Sequence, residues 1–209
     1  MLLCDIGNTT LHFKANSHTF KVPIVSFDLS DYKDEKVYYI CVEPTLKEKL
    51  SKQSNWIDVT PWIELEGSYD TLGIDRKLAA WFIEDGVVVD AGSAITLDVM
   101  QEGVYQGGFI YPGFVAMQKA YADISSALEY SINFELSFDT MALTSQDAIS
   151  YGALVPLIEH IKTLTQGKQL FITGGDAKKL APFFDAVVKE HLLFDAMHKL
   201  ISKHEGTRC

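Results

Sequence analysis

The chain opens with Met1-Leu2-Leu3-Cys4-Asp5-Ile6-Gly7-Asn8-Thr9-Thr10, and the rest of the sequence is organised around this stretch. The apolar run at residues 2–4 predicts a short buried strand that carries Asp5 to its end. The turn Gly7-Asn8-Thr9 follows at once, and its N–H groups and short polar side chains suit an anion. Glycine at position 7 permits either a positive φ or the close approach of another group. A second strand at residues 11–14 would complete a hairpin.

The theme of this turn occurs twice more along the chain. Asp90-Ala91-Gly92-Ser93-Ala94 follows one apolar strand, and Thr173-Gly174-Gly175-Asp176 follows another. We call residues 5–9, 90–94 and 173–176 the first, second and third turns. Any one of them alone is ordinary turn chemistry, because Gly and Asn dominate such turns. Three together in one small chain favour a phosphate and nucleotide cleft.

Composition narrows the class of protein. The 209 residues are 47% hydrophobic, which predicts a real core in one large or two small domains. The net charge of −10 argues against a nucleic-acid surface, which needs clustered Lys and Arg. No segment resembles a membrane span or a signal peptide. The three cysteines, Cys4, Cys41 and Cys209, are widely spaced, which predicts structural thiols and a cytoplasmic location.

A strand meander followed by helices occurs twice, which predicts an internal duplication within an α/β fold. Each meander has an Asp-x-Gly turn after its first strand. The expected boundary near Asp85-Gly86 divides the chain into residues 1–85 and 86–209. The predicted strands are at residues 2–4, 11–14, 18–24, 37–42, 56–59, 87–89, 95–99, 104–110 and 170–172. The predicted helices are at residues 45–53 with Thr45 as N-cap, 74–83, 114–128, 145–164, 177–190 and 194–203. Residues 133–144 are expected to be irregular.

Five segments, in this order, carry a family resemblance: Asp5-Ile6-Gly7-Asn8-Thr9, Gly73-Ile74-Asp75-Arg76, Val89-Asp90-Ala91-Gly92-Ser93-Ala94-Ile95-Thr96, Gly107-Gly108-Phe109-Ile110-Tyr111-Pro112-Gly113 and Thr173-Gly174-Gly175-Asp176-Ala177. With them the chain resembles the type III pantothenate kinases of the acetate and sugar kinase/Hsp70/actin superfamily. The resemblance implies two ribonuclease-H-like halves, each a mixed sheet flanked by helices, with an interdomain cleft. It also implies a homodimer and ATP-dependent phosphorylation of pantothenate, the first step toward coenzyme A.

The resemblance also implies roles for individual residues. Asp5 would hold Mg²⁺ through water, and Asp90 would hold a monovalent cation, K⁺ or ammonium. A simpler role for Asp90 is to fix the Gly92 turn by hydrogen bonds. Ser93 stands where the family often has Thr, which keeps the hydroxyl. The residues expected to contact ATP are Asp5, Ile6, Gly7, Asn8, Thr9, Thr10, Leu11, His12, Gly92, Ser93, Gly174 and Gly175.

Pantothenate itself is expected to meet the Gly73-Ile74-Asp75-Arg76 segment and Tyr69. Asp75 would take the proton of the substrate hydroxyl, and the planar donors of Arg76 suit the substrate carboxylate. The simpler alternative is a helix-capping acid beside a surface ion pair. The family's substrate-contacting hydroxyl falls on Ser145, with Thr144 next to it, and the choice between them stays open.

Other functions fit the residues less well. A different small acceptor within the superfamily is opposed by the Gly-Ile-Asp-Arg match. A non-catalytic regulator resembling the Bvg accessory factor is opposed by the net charge and by Asp5, Asp75 and Asp90. The six histidines show no metal-ligand spacing. Neither nucleic acid nor membrane is expected as a partner.

Overall fold

The computed structural model describes residues 1–206, and its two sheets repeat one plan. The strands are β1 (Leu2–Ile6), β2 (Thr10–Ala15), β3 (His18–Pro23), β4 (Val37–Cys41), β5 (Trp56–Asp58), β6 (Gly86–Ala91), β7 (Ala94–Gln101), β8 (Val104–Pro112), β9 (Leu170–Thr173) and β10 (Ala186–Val188). In the first sheet, β1 pairs antiparallel with β2, β2 with β3, and β1 runs parallel to β4, which is parallel to β5. The second sheet has the order β8-β7-β6-β9-β10, which matches the order β3-β2-β1-β4-β5 of the first sheet strand by strand. The predicted duplication of mixed α/β halves is confirmed.

Six α-helices accompany these strands within the described residues. The second and fourth have the predicted bounds, while the third ends four residues early and continues as a 3₁₀ turn at Ser126–Leu128. None of the helices in residues 1–206 has the length and apolar character needed to cross a bilayer. The helices are α1 (Pro44–Leu50), α2 (Ile74–Ile83), α3 (Phe114–Ile124), α4 (Ser145–Leu164), α5 (Ala177–Leu180) and α6 (Leu192–Gly206).

The chain forms two compact units whose bounds differ from the predicted domains 1–85 and 86–209. The first unit is Met1–Phe82 together with the described residues from His191 onward, and the second is Ile83–Glu190. The predicted boundary near residue 85 lies three residues from the observed one. The predicted assignment of the last helix does not match, because α6 buries Phe194 and Met197 in a cluster with Leu3 of β1.

The strand β1 is covered on both faces, and this places the first turn. Cys4 and Ile6 pack in one cluster with α1, while Leu3 packs in the other with α2 and α6. Because both faces are buried, the strand has one allowed register, and Asp5 stands as its half-exposed polar residue. Cys4 and Cys41 are buried free thiols, as predicted, and Cys209 lies outside the described residues.

The second unit places the second turn in the same way. Val87, Val89 and Ala91 of β6 are buried against the apolar side of α4, which contributes Leu154 and Leu157. Asp90 alternates with these residues, so it points from the opposite face of the sheet. The second turn therefore begins from a fixed strand end.

The bounds predicted for α5 and α1 are also wrong. The helix expected at residues 177–190 stops at Leu180, because Pro182 follows, and the segment Ala186–Val188 pairs with β9 as a parallel edge strand. The expected N-cap Thr45 is inside α1. Glu43 caps that helix instead, accepting from the amides of Thr45 and Leu46, and Pro44 occupies its first position.

Candidate active site

The first turn closes the β1–β2 hairpin and leaves its polar side chains outside. The Gly7 amide donates to the carbonyl oxygen of Thr10 at 3.0 Å, while Asn8 and Thr9 are exposed. Gly7 does not adopt a positive φ, and an added Cβ would lie at an ordinary 3.5 Å from the Thr10 oxygen. Nothing within the turn therefore requires glycine. Of the two explanations offered for Gly7, only the close approach of another group is compatible with this geometry.

The other residues of the predicted ATP stretch divide by burial. Ile6 and Leu11 are fully buried in the core, so they can offer a ligand only their backbone. His12 is partly buried, with its ring 4.9 Å from that of Phe194. Its pKa is lowered to about 4, first because burial disfavours the charged imidazolium, and then because Lys21 and His191 add positive charge. His12 is therefore neutral at pH 7.

The second turn is a tight loop between β6 and β7. The Gly92 amide donates to the Ala94 carbonyl oxygen at 3.0 Å, and the Ser93 side chain is exposed. Asp90 lies opposite Thr96 on β7 and Thr173 on β9. Asp90 at the end of β6 and the exposed Ser93 three residues later thus both belong to the second turn.

The third turn is joined directly to the second. The Asp176 amide donates to the Ala91 carbonyl oxygen at 2.9 Å. Gly174 has φ +94°, and its Cα faces the Asp90 carboxylate, whereas Gly175 has no atom near the position of an added Cβ. The two glycines therefore differ: Gly174 packs on the second turn, and Gly175 faces open space. Asp176 precedes α5, but its carboxylate accepts from Lys179 at 2.7 Å rather than capping the helix.

The Gly73–Arg76 segment begins α2 and organises the predicted substrate residues. Asp75 Oδ1 accepts from the Arg76 amide at 2.9 Å. An added Cβ at Gly73 would lie 2.7 Å from the same oxygen, so glycine there leaves room for the carboxylate. Arg76 is only 7% exposed, and its Nη1 donates to the Tyr69 hydroxyl at 3.2 Å. The alternative of a surface ion pair is wrong for Arg76, because the guanidinium is buried.

The start of α4 distinguishes Thr144 from Ser145. Thr144 is the N-cap: its hydroxyl accepts from the Asp147 amide at 3.1 Å and donates to the Asp147 carboxylate at 2.8 Å. Ser145 is exposed and makes no hydrogen bond with its side chain in the described part of the chain. Asn133, which the sequence did not single out, ties the preceding loop to α4 through Asp147 and Ser150.

Charged ligands for a metal are sparse. Within residues 1–206, no group of three or more His, Cys, Asp or Glu side chains could hold a metal ion. A cation at Asp5 or Asp90 would therefore take at most two side chains of these types from residues 1–206, with the remaining ligands from backbone, water or substrate. This donor set suits Mg²⁺, which keeps several waters and takes substrate phosphates.

The family follows from comparison with known proteins. The family model described as type III pantothenate kinase matches residues 63–167, which include Asp75, Arg76, Asp90, Ser93 and Ser145. A type III pantothenate kinase of Sulfurimonas denitrificans is 47% identical over 97% of this chain and 98% of its own length. The chain belongs to the type III pantothenate kinase family.

Solved structures agree with the fold. A Campylobacter jejuni protein named for the Baf family of transcriptional activators superposes with a TM-score of 0.90 at 40% identity. The superposition covers 99% of the present chain and 100% of the Campylobacter chain. MreB 5 of Spiroplasma citri, solved bound to AMPPNP, covers 100% of this chain with a TM-score of 0.50 at 10% identity. The second likeness shows the fold alone, that of the actin-like ATPases.

Proposed function

We propose that the protein transfers the γ-phosphoryl group of ATP to the primary hydroxyl of pantothenate, giving ADP and 4′-phosphopantothenate. The observation that carries this proposal is the start of α2. There a buried Arg76 is oriented by Tyr69, and the Asp75 carboxylate is set beside it within the region that matches the family model. A guanidinium is a planar fork of donors that suits a carboxylate, and pantothenate carries one.

In the proposed reaction, Asp75 is the general base. The hydroxyl oxygen attacks the γ-phosphorus, the bond from that phosphorus to the bridging oxygen of ADP breaks, and the hydroxyl proton passes to Asp75. One carboxylate oxygen of Asp75 is held by the Arg76 amide. The other oxygen would face the substrate, and the proton would later leave to solvent. Gly73 and Ile74 would present backbone to the substrate, and Tyr69 would lie beside it.

The phosphates of ATP would be held by the first and second turns. Asn8 and Thr9 are exposed in the first turn, and Ser93 is exposed in the second turn. Each turn therefore offers amides and short side chains to an anion. Asp5 would hold Mg²⁺ through water, and the metal when bound neutralises charge on the moving phosphoryl group. Gly175, with open space beside it, would lie against adenosine, while Gly174 keeps the third turn on the second.

Two finer assignments belong to the same proposal. Asp90 would bind K⁺ or ammonium together with backbone oxygens, and its carboxylate already lies against Gly174 at the junction of two turns. Ser145 would be the hydroxyl that contacts pantothenate, because the Thr144 hydroxyl is occupied by the helix cap.

The first experiment measures ADP release with ATP, Mg²⁺ and pantothenate for the wild type, Asp75→Asn and the control Asp34→Asn. Asp34 is an exposed carboxylate of the first unit outside the proposed site. We expect pantothenate-dependent turnover in the wild type and in the control, and a loss of about 10²–10⁴-fold in Asp75→Asn, the range of general-base catalysis. Turnover with another acceptor but not with pantothenate would overturn the substrate.

The cation assignment has its own test. Turnover in K⁺ or ammonium buffer should exceed that in Na⁺, and Asp90→Asn should lower the activity and remove the difference. Equal rates in K⁺, ammonium and Na⁺ for the wild type would reject a specific monovalent-cation site at Asp90.

A regulator is the second candidate function, because one relative is named for transcriptional activators. The net charge of −10 disfavours direct contact with DNA. A folded wild type that binds ATP but gives no turnover with any acceptor would favour this candidate over the kinase.

We further propose a homodimer formed through the β8–α3 face of the second unit. β8 is an edge strand of its sheet, and Ile124 at the end of α3 is 72% exposed. Ile124 lines an open groove of about 330 Å³ together with Tyr111 and Pro112 of β8 and with Met117 and Tyr121 of α3. Exposed apolar surface of this kind commonly marks a protein interface.

A further inference from the structure

The second turn is enclosed by glycine on two sides. On one side, a Cβ added at Gly113 would lie 2.8 Å from the Ser93 carbonyl carbon and closer still to the carbonyl oxygens of Gly92 and Ser93. On the other side, a Cβ added at Gly174 would lie 2.7 Å from the Ala91 carbonyl carbon and closer still to Asp90 Oδ1. Ordinary contacts of a Cβ begin at 3.4 Å. Neither position can therefore take a side chain unless the turn moves.

Gly113 must be glycine only because the second turn leaves no space for a Cβ at this position. Its backbone has φ −65° and ψ 161°, which any residue adopts readily. It is also the N-cap of α3, a position at which Ser, Thr, Asp or Asn is as good as glycine or better. Neither backbone conformation nor helix capping explains the residue, whereas the contact with Gly92 and Ser93 does.

The contact also fixes where donors point. The peptide unit is planar and trans, so the carbonyl oxygen of Gly92 and the N–H of Ser93 point in opposite directions. With the Gly92 oxygen held against Gly113, the Ser93 amide points away from it. A hydrogen bond of 3.2 Å from the Gly113 amide to the Ser93 carbonyl oxygen holds the next peptide in the same manner.

We propose that Gly113 is a positioning residue for the reaction: it sets the orientation of the Gly92–Ser93 peptides and of the Ser93 hydroxyl toward the phosphates of ATP. This inference rests on the proposed role of the second turn in binding phosphate. Gly174 supports the same turn from the Asp90 side. Gly113 lies about twenty residues after the turn in the sequence, and the β7–β8 pairing, in which Ala94 lies opposite Pro112, brings it into direct contact with Ser93.

The decisive variants are Gly113→Ala and Gly113→Ser. Both should displace the turn by about 1 Å, and kcat/KM for ATP should fall on the order of 10²-fold, while KM for pantothenate stays near that of the wild type. Serine is the better N-cap, so a loss caused by poor helix capping would be restored in Gly113→Ser. A steric effect would persist or grow. Gly206→Ala is the control, since its added Cβ meets no atom within 4 Å.

A second readout does not depend on catalysis. Hydrogen exchange of the peptide covering residues 90–96 should be faster in both Gly113 variants than in the wild type and Gly206→Ala, with the thermal midpoint recorded for each. Unchanged exchange together with wild-type kcat/KM for ATP would overturn the inference, as would recovery in Gly113→Ser. If the wild type itself does not phosphorylate pantothenate, the proposed function fails, and the exchange data alone then decide whether Gly113 holds the turn.

Discussion

At the scale of the residue, Gly73 is tied to the behaviour of Asp75. The carboxylate of Asp75 folds back over the Cα of Gly73, at 2.7 Å from the position of an added Cβ. Only the end of a side chain would have to move in Gly73→Ala, so the free energy of unfolding should change by about 1 kcal/mol or less. The general base would be displaced, and kcat should fall on the order of 10²-fold. Steady-state kinetics and urea unfolding of the same sample measure both, and an active Gly73→Ala protein would show that Asp75 tolerates another position.

His12 makes a second residue-scale prediction, about pH. Its pKa is about 4 in the folded chain and near 6.5 in an unfolded one, so the unfolded state binds more protons between these values. The free energy of unfolding should therefore fall as the pH drops from about 6.5 to about 4. His12→Gln removes this titration, so the free energy of unfolding of the variant should fall less than that of the wild type. The two falls should differ by about 1 kcal/mol near pH 4.5, after allowing for the solvent-screened part of the ring. Urea unfolding across this range provides the measurement, and parallel curves for the two proteins would contradict it.

At the scale of the element, α6 is bound to the first sheet by more than its apolar face. The Tyr38 hydroxyl donates to Glu205 near the end of the helix at 2.5 Å, and Lys36 lies 3.7 Å from the same carboxylate. Tyr38→Phe should lower the free energy of unfolding by about 1 kcal/mol, because it removes a hydrogen bond that is partly exposed to water. Tyr130→Phe, at a 40% exposed ring of the second unit, is the matched control and should change little. Equal unfolding curves for both variants would mean that the bond contributes nothing measurable.

The same scale explains which elements could be predicted. The helices at 74–83 and 145–164 were predicted to the residue, because each has a continuous apolar stripe and a clear N-terminal signal. The run 177–190 was mistaken for one helix because the strand signal is only three residues long. Pro182 and the β-branched pair Val187 and Val188 carried the correct information, but an edge strand this short is stabilised by its pairing with β9, which no local pattern reveals.

At the scale of the whole molecule, the internal duplication made most of the fold and part of the candidate site predictable from the sequence. Two copies of the Asp-x-Gly turn predict two equivalent sheets, and the two sheets have the same strand order. The assignment of α6 to the first unit was missed, because the contact of Phe194 with Leu3 joins residues at opposite ends of the chain. The contact of Gly113 with Ser93 was missed for a similar reason: it depends on the register of β7 and β8, including an irregularity between Val99 and Met100.

The oligomer is the last property that belongs to the whole molecule. If two copies associate through the β8–α3 face, burying the 72% exposed Ile124 supplies part of the driving force, and a charge there would have to be desolvated without a partner. Ile124→Lys should therefore weaken the dimer by about tenfold or more. Sedimentation velocity over a range of concentrations should give twice the 23.3 kDa chain mass for the wild type and a shift toward one chain for Ile124→Lys. Val25→Lys is the control, because Val25 is 96% exposed on the first unit, and it should sediment as the wild type does.

A wild type with the mass of one chain at all concentrations would reject the dimer. A dimer that Ile124→Lys leaves intact would instead place the interface on a different face.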